Sequence, residues 1–434
     1  MLQALENLKN HPGFIRYSKN TLWLFFDKVA KSIFYLITWI LIARLLGPDE
    51  FGILNYAISF VFFFTSIAGL GLDDIVVKAI LKKEYLPETI LGTALIIKIL
   101  GSIISLFLIF LVTSLVGDDY STKKIIYIIS ISIFFHSFNV FIFYFQSQVL
   151  LKFPALSNIF TLIISTIIKL YLIMNDADLI YFALMFVLDG FFLSIFLIYF
   201  FTKRSVIPLS KLNFNKSLAL NLIRDGWPLI FTGLLISIYM KIDQIMITQI
   251  LGSSENGIYS AAVFLSESFN FIALVITASV FPAILNAKKK NNNLYEKRIS
   301  NMYFILFWLS IFISIFITLT SSFLIDILYG KEFLESAYIL KIHIWSSILV
   351  FLGLANSKWF ISENLQKLSM IYTFIGAFLN IVLNYFWLQS IGISGAAWAT
   401  LVSYFFAAYL CLLISKDTRI SFFRINRSIF SFRL

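Results

Sequence analysis

The chain has 434 residues, 60% of them hydrophobic and only 13% charged, with a formal net charge of +11. Soluble globular domains run to about 45–50% apolar and about 25% charged residues, so a water-coated globular surface is excluded. The solvent this composition suits is lipid, where a spanning backbone must satisfy its own polar groups as a helix or a closed barrel strand.

Barrel strands alternate apolar and polar residues over about ten positions. Instead, runs of roughly twenty apolar residues occur, as at 125–145 and 368–388, the length of a spanning helix. In chain order the spans fall at 21–45, 51–72, 89–116, 125–145, 155–174 and 179–201. After a polar linker they continue at 227–250, 257–281, 302–325, 336–361, 368–388 and 393–415. About twelve spanning helices make this an all-α polytopic membrane protein. The first twenty residues are polar and basic, with no apolar signal core or cleavage site, so the first span is expected to act as an uncleaved anchor. The single cysteine, Cys411, allows no internal disulfide.

Loop charge gives the orientation. Twenty-two Lys and Arg residues lie on the side of both termini; four, Arg44, Lys123, Lys124 and Lys331, lie on the other. The positive-inside rule therefore predicts that both ends are cytoplasmic. It also accounts for most of the positive charge without a nucleic-acid partner, the basic loops being suited to anionic lipid headgroups. The longest outer loop, about 326–335, leaves no room for an extracytoplasmic domain.

A repeat underlies the twelve spans. Leu46-Gly47-Pro48-Asp49-Glu50-Phe51-Gly52, then Ala57, joins spans one and two; Leu251-Gly252-Ser253-Ser254-Glu255-Asn256-Gly257, then Ala262, joins spans seven and eight. The matches are a constant 205 residues apart. An even number of spans per half gives both halves one orientation, hence parallel repeats about an axis along the membrane normal. The expected organisation is an N-terminal six-helix lobe (1–204), a cytoplasmic linker (205–222), a C-terminal six-helix lobe (223–415) and a basic cytoplasmic tail (416–434). Transporters place a substrate path between such halves.

Ionisable side chains at mid-bilayer cost about 2.5–3.5 kcal/mol on insertion scales and usually face a cavity or a partner. Here they cluster. Asp27, Lys28 and Lys31 share one side of span one; Lys98 lies in span three, Lys169 in span five and Asp189 in span six. Ser237, Lys241, Gln244 and Thr248 form one polar face of span seven, with Asp243 beside it, and span eight carries Glu267. Mutual pairing that stabilises helix packing is the plainer reading, and near-balance of charge suits it. The cations, however, are spread over four helices at different depths, which a water-filled path for an anionic group explains better. Lys28, Lys31, Lys98, Lys169, Lys241 and Gln244 are the candidate path; Asp27, Asp243 and Glu267 are candidates to carry a coupling ion or to orient the lysines. His136 and His343 are isolated and expected to pack helices. No metal-ligand spacing, phosphate-cradling loop or nucleophile elbow is present, so neither a metal, a cofactor nor an enzymatic activity is expected.

These segments resemble a known family. Asn20-Thr21-Leu22-Trp23, Asp27-Lys28-x-x-Lys31 and Ala43-Arg44-Leu45-Leu46-Gly47-Pro48-x-x-Phe51-Gly52 are similar to the polysaccharide repeat-unit flippases, the Wzx-type O-antigen translocases of the multidrug/oligosaccharidyl-lipid/polysaccharide (MOP) exporter superfamily. Gly226-Trp227-Pro228-Leu229, Lys241-Ile242-Asp243-Gln244, Gly257-Ile258-Tyr259-Ser260-Ala261-Ala262, Phe281-Pro282 and Gly392-Ile393-Ser394-Gly395-Ala396-Ala397 follow in family order, over about residues 20–415. Family members often carry arginine where this chain has Lys31 or Lys241; charge is kept and bidentate phosphate recognition is lost. The resemblance implies a MATE-like fold of two pseudo-symmetric six-helix lobes around a central cavity. It implies a bacterial inner-membrane flippase that moves an undecaprenyl-diphosphate-linked oligosaccharide to the periplasmic leaflet by alternating access. The implied partners are membrane lipids and the glycan polymerase and chain-length machinery. Two other readings remain: a MATE-like drug or cation antiporter, which favours excess carboxylate over buried lysine, and a membrane glycan polymerase or ligase, which normally needs a substantial outer loop.

Overall fold

The structure, a computed structural model, describes the backbone of residues 12–430 and the side chains of residues 29–430. Among the described residues every regular element is a helix, and eleven helical segments are long and apolar enough to cross a membrane. The first of them, Val29–Lys82, contains two of the spans expected from sequence, which restores the count to about twelve.

Spans one and two form one long helix, α1 (Pro12–Gly69), broken only at Gly47, whose φ of 68° lies in the left-handed region that glycine tolerates. Gly252, its counterpart 205 residues later, has φ 109° and separates span seven, α9 (Lys216–Leu251), from span eight, α10 (Ser253–Glu267). The same conformational need thus falls at matching places in the two repeats. Between them lie α2 (Asp73–Lys82), α3 (Pro87–Leu115), α4 (Tyr120–Ser130), α5 (Ser132–Phe135), α6 (Val140–Ser147), α7 (Lys152–Met174) and α8 (Leu179–Arg204). Asp119 caps α4, accepting from Ser121 N at 3.1 Å and Thr122 N at 3.2 Å. After α10 follow α11 (Asn270–Lys290), α12 (Asn292–Leu328), α13 (Ser336–His343), α14 (Ser346–Glu363), α15 (Gln366–Ile391), α16 (Ile393–Ala408) and α17 (Lys416–Phe430).

The helices extend beyond the apolar runs. α9 is helical from Lys216, inside the stretch read as linker, and the stretch read as a basic tail holds the helix α17. Hydropathy reports where a helix is apolar, and these extensions are polar.

Two compact units result: Met1–Trp39 with Phe60–Leu234, and Ile40–Ser59 with Leu235–Leu434. The first unit's core is aliphatic and aromatic, drawn from α2, α3, α6, α8 and the start of α9, with the rings of Phe141 and Phe201 tilted against each other, centroids 4.5 Å apart. The second unit takes in the turn of the first repeat, and the reason is backbone contact. A Cβ on Gly52 would stand 1.8 Å from the carbonyl oxygen of Ser253; one on Gly257 would stand 1.8 Å from that of Pro48. Asn256 Nδ2 donates to Gly52 O at 2.9 Å, Ser253 bonds Asp49, and Phe51 packs on Phe333. Gln249 Nε2 donates to Tyr56 at 2.7 Å, and Ser59 bonds Gln244.

In the first unit the later part of span two meets the early part of span seven. Gly226 lies against Leu70 O, where a Cβ would come within 2.4 Å, and Gly233 lies against Ser66. Within each unit the contacts between α1 and α9 run antiparallel, 56–249 and 59–244 in the second and 66–233 in the first.

Gly52→Ala or Gly257→Ala must push backbone away from backbone, an overpacking cost of about 1–3 kcal/mol. Both variants are expected to melt lower than wild type in detergent by intrinsic fluorescence. Gly117→Ala, which meets nothing within 4 Å, is the control and should melt unchanged.

Candidate functional site

In the first unit, span four does not run as a continuous α-helix. It stops at Ser130, resumes briefly at Ser132–Phe135, tightens into a 3₁₀ turn at His136–Asn139, and continues as α6. In a 3₁₀ turn, side chains three residues apart eclipse one another. His136 and Asn139 therefore project together, and both line two adjoining cavities. The sequence carries no proline or glycine here to announce the break.

The larger cavity, about 480 Å³, is bounded by Lys31 and Tyr35 of α1, by Lys169 of α7 and by Asp189 of α8. Lys169 Nζ lies 2.9 Å from Asp189 Oδ2. Asp189 Oδ1 is buried and has no protein partner among the described residues. Tyr35 stacks on Trp39 at 5.3 Å, and Trp39 meets Phe186 edge-on. Two cations and one carboxylate thus face a space with an aromatic wall.

The smaller cavity, about 280 Å³, is lined by Lys98, Asp73, Ser66, Ser102 and Ser137 besides the shared pair. Lys98 is buried, with Nζ 3.3 Å from Asp73 Oδ1 and 4.9 Å from the centre of the Phe143 ring. Ser102 Oγ shares a hydrogen bond with Ser137 Oγ at 2.9 Å and donates to Ile133 O at 3.2 Å. Hydroxyls, an amide and an imidazole form a lining suited to a hydroxyl-rich ligand.

The second unit holds a separate group. Asp243 is buried, bonded by the Tyr259 hydroxyl, by Gln244 N at 3.0 Å and by Thr400 Oγ1 at 3.5 Å. Behind Thr400 stand Asn380 and Asn384, with Asn384 Nδ2 donating to Asn380 Oδ1 at 3.0 Å. Asn384 Oδ1 is a buried acceptor without a partner among the described residues. Lys241 is half-buried and acts electrostatically on both Asp243 and Glu267. Tyr239 and Tyr404, with ring centroids 4.7 Å apart, adjoin this group.

Of the residues singled out from sequence, Lys31 and Lys169 share one cavity and Lys98 lines its neighbour. Lys241, Gln244, Asp243 and Glu267 belong to the second unit's group. The side chains of Asp27 and Lys28 lie outside the described residues. Lys98 and Lys169 do not stand bare, since each is held by a carboxylate from another helix. His343 packs as expected, bonded to Ser266 at 3.0 Å, whereas His136 faces the cavities. Sequence reasoning passed over Asp73, Asn139, Tyr259, Asn380, Asn384 and Thr400. The spacing of Asn380 and Asn384, four residues apart on one helix, was the available signal.

Residues 17–288 match the family described as polysaccharide biosynthesis protein, and residues 228–386 match MatE. No curated protein sequence matches the chain significantly. Among solved structures, the inward-facing conformation of a multidrug resistance MATE family transporter of the MOP superfamily superposes with a TM-score of 0.72 at 14% identity, over 92% of this chain and 96% of that one. The lipid II flippase MurJ in an inward closed conformation gives 0.70 at 19% identity, over 95% and 93%. A MOP superfamily transporter from Pyrococcus furiosus gives 0.65 at 13% identity, over 95% and 96%. At such identities the likeness is one of fold, and each of these structures is a transporter or a flippase by its own description. With well over half of its length matched, the chain belongs to the polysaccharide biosynthesis protein family, a multi-pass membrane protein on the fold of the MOP superfamily.

Proposed function

We propose that the protein is a flippase for an undecaprenyl-diphosphate-linked oligosaccharide, an O-antigen or capsule repeat unit. In this reading it carries the unit from the cytoplasmic to the periplasmic leaflet of a bacterial inner membrane by alternating access. The observation that carries the proposal is the cavity of the first unit, where Lys31 and the Lys169–Asp189 pair face an aromatic wall beside a hydroxyl-rich chamber. A diphosphate needs cations, and sugars need hydroxyl and amide partners. The strongly basic side of the loops supports cytoplasmic termini. The division into lobes 1–204 and 223–415, with a linker at 205–222 and an extension at 416–434, belongs to the same proposal, as does cooperation with a glycan polymerase and chain-length machinery.

In this mechanism Lys31 and Lys28 meet the diphosphate first, and Lys169 exchanges its bond to Asp189 for one to phosphate. Lys98 exchanges Asp73 in the adjoining chamber, and Lys241 with Gln244 lies further along the path. Asp243 carries the coupling ion, a proton or a monovalent cation, with Thr400 and the Asn384 carbonyl oxygen near it, while Asp27 and Glu267 orient the lysines. An anion leaving a negative interior gains about 2.3 kcal/mol per charge per 100 mV. Two diphosphate charges thus gain about 4–5 kcal/mol, which biases movement outward.

Complementation of a flippase-null strain tests the proposal. Lys31→Ala and Lys169→Ala, at wild-type levels in the membrane, are expected to lower surface glycan by roughly 10–100-fold, the cost of a lost charge-assisted contact. Wild-type glycan from both variants would sink the lysine path. Single repeat units at the surface of the null strain itself, in place of lipid-linked units trapped inside, would point to a polymerase.

A second outcome concerns coupling. Asp243→Asn keeps the hydrogen-bonding shape and removes the charge. In proteoliposomes it is expected to abolish the response of transport to an imposed pH or sodium gradient, while diphosphate-lipid binding stays within about twofold of wild type. An undiminished gradient response would remove Asp243 from the mechanism.

A further inference from the structure

α17 is built inside out relative to a helix docked on a soluble protein. Its buried residues are largely polar: Thr418, Ser421, Arg424 and Ser428, with Ile425. Thr418 shares a hydrogen bond with Tyr372 at 2.8 Å, and Ser421 with Tyr303 at 3.1 Å. Arg424 grips Glu296 with two bonds, Nε to Oε2 at 2.8 Å and Nη2 to Oε1 at 2.7 Å, and lies over the Trp359 ring. The helix is therefore fastened to α12, α14 and α15 by polar contacts.

The opposite face is apolar and basic together. At about 100° per residue, Lys416, Arg419, Ile420, Phe423, Arg427 and Phe430 fall within one arc of about 100°. All six are exposed; Ile420, Phe423 and Phe430 are 60%, 56% and 86% accessible. Arg419 Nε donates to Leu413 O at 2.8 Å, which holds its guanidinium at the start of the helix. Trp308 of α12, itself exposed, donates from Nε1 to Ile429 O at 2.9 Å and ties down the last turn of the helix.

Water disfavours three large apolar side chains on one face. A hydrocarbon interior disfavours three cations there. The boundary between headgroups and acyl chains accommodates both: aromatic and aliphatic groups enter the acyl layer, and Lys and Arg reach lipid phosphates. Each such cation is drawn to an anionic surface.

We infer that α17 is an interfacial helix that seats the second unit on anionic phospholipid, with Lys416, Arg419 and Arg427 on the phosphates and Ile420, Phe423 and Phe430 in the acyl boundary. The terminal segment is then a fixed lipid-binding element and not a solvated tail. The occupant is a lipid surface, chosen over a second copy of the chain because the face joins cations to apolar groups without a carboxylate in its arc.

The test uses full-length protein carrying Cys411→Ser and Phe423→Cys, spin-labelled at 423 and placed in nanodiscs. In phosphatidylglycerol-containing discs the label is expected to be more accessible to oxygen than to a water-soluble nickel chelate. In pure phosphatidylcholine discs, or with Lys416, Arg419 and Arg427 all changed to Glu, that preference is expected to reverse or shrink severalfold. A label more accessible to nickel in phosphatidylglycerol would overturn the inference. So would an oxygen preference indifferent to lipid charge, or spin–spin broadening that reports a second copy on this face. The same label at Ser421, whose side chain is buried, checks that the helix remains docked: it should be immobile in every disc.

Discussion

Span two touches spans seven and eight through backbone. At Gly52 and Gly257 the missing Cβ atoms leave room for the carbonyl oxygens of Ser253 and Pro48, and at Gly226 for that of Leu70. Side chains cannot come between these helices at those points, so the separation is set by the glycines themselves. The polar rungs between, Tyr56 with Gln249 and Ser59 with Gln244, then fall at bonding distance. Much follows from this constraint. It fixes the turn of the first repeat against the turn of the second, and it draws residues 40–59 into the compact unit of the C-terminal half.

The charged groups divide the chemistry between the units. In the first, the buried Lys98 is held by Asp73 and the partly buried Lys169 by Asp189, each carboxylate coming from a different helix. Such pairs have two uses. They make insertion of the cations tolerable, and in the proposed mechanism they supply a cation that an incoming phosphate claims by displacing a carboxylate. In the second unit the order is reversed: a buried carboxylate, Asp243, sits among hydroxyl and amide groups with a single lysine nearby. An arrangement rich in cations suits an anionic headgroup, and one centred on a carboxylate suits a small cation or proton. The proposed exchange of a headgroup for a coupling ion draws on both.

The span count, the all-helical class and the repeat were legible in the sequence because each is a pattern along the chain. Gly47 and Gly252 stand 205 residues apart in sequence and share a left-handed backbone in space. The identity of the buried cations was legible for the same reason, since a lysine in an apolar run is conspicuous. Their partners were not. Asp73 lies 25 residues from Lys98 and Asp189 lies 20 from Lys169, on helices whose rotation hydropathy leaves open. Asn380, Asn384 and Thr400 escaped notice because neutral polar residues interrupt an apolar run less than charges do. The 3₁₀ turn at His136–Asn139 has no breaker residue, and it is what turns a packing histidine into a cavity wall. α17 was hidden because its polar face is the buried one, the reverse of the pattern that marks an amphipathic helix in water.

The most direct measurement is translocation by the purified protein. Proteoliposomes would hold a polyprenyl-diphosphate oligosaccharide with a reporter on its sugar, read by an impermeant quencher. The protein would carry Cys411→Ser with Asp49→Cys and Ser253→Cys, placed where the two repeat turns meet. The account predicts protein-dependent transfer in the reduced state, its loss on disulfide formation across the seam and its return on reduction. Transfer that continues with the seam locked, or no transfer in the reduced state by protein that remains folded, would contradict it.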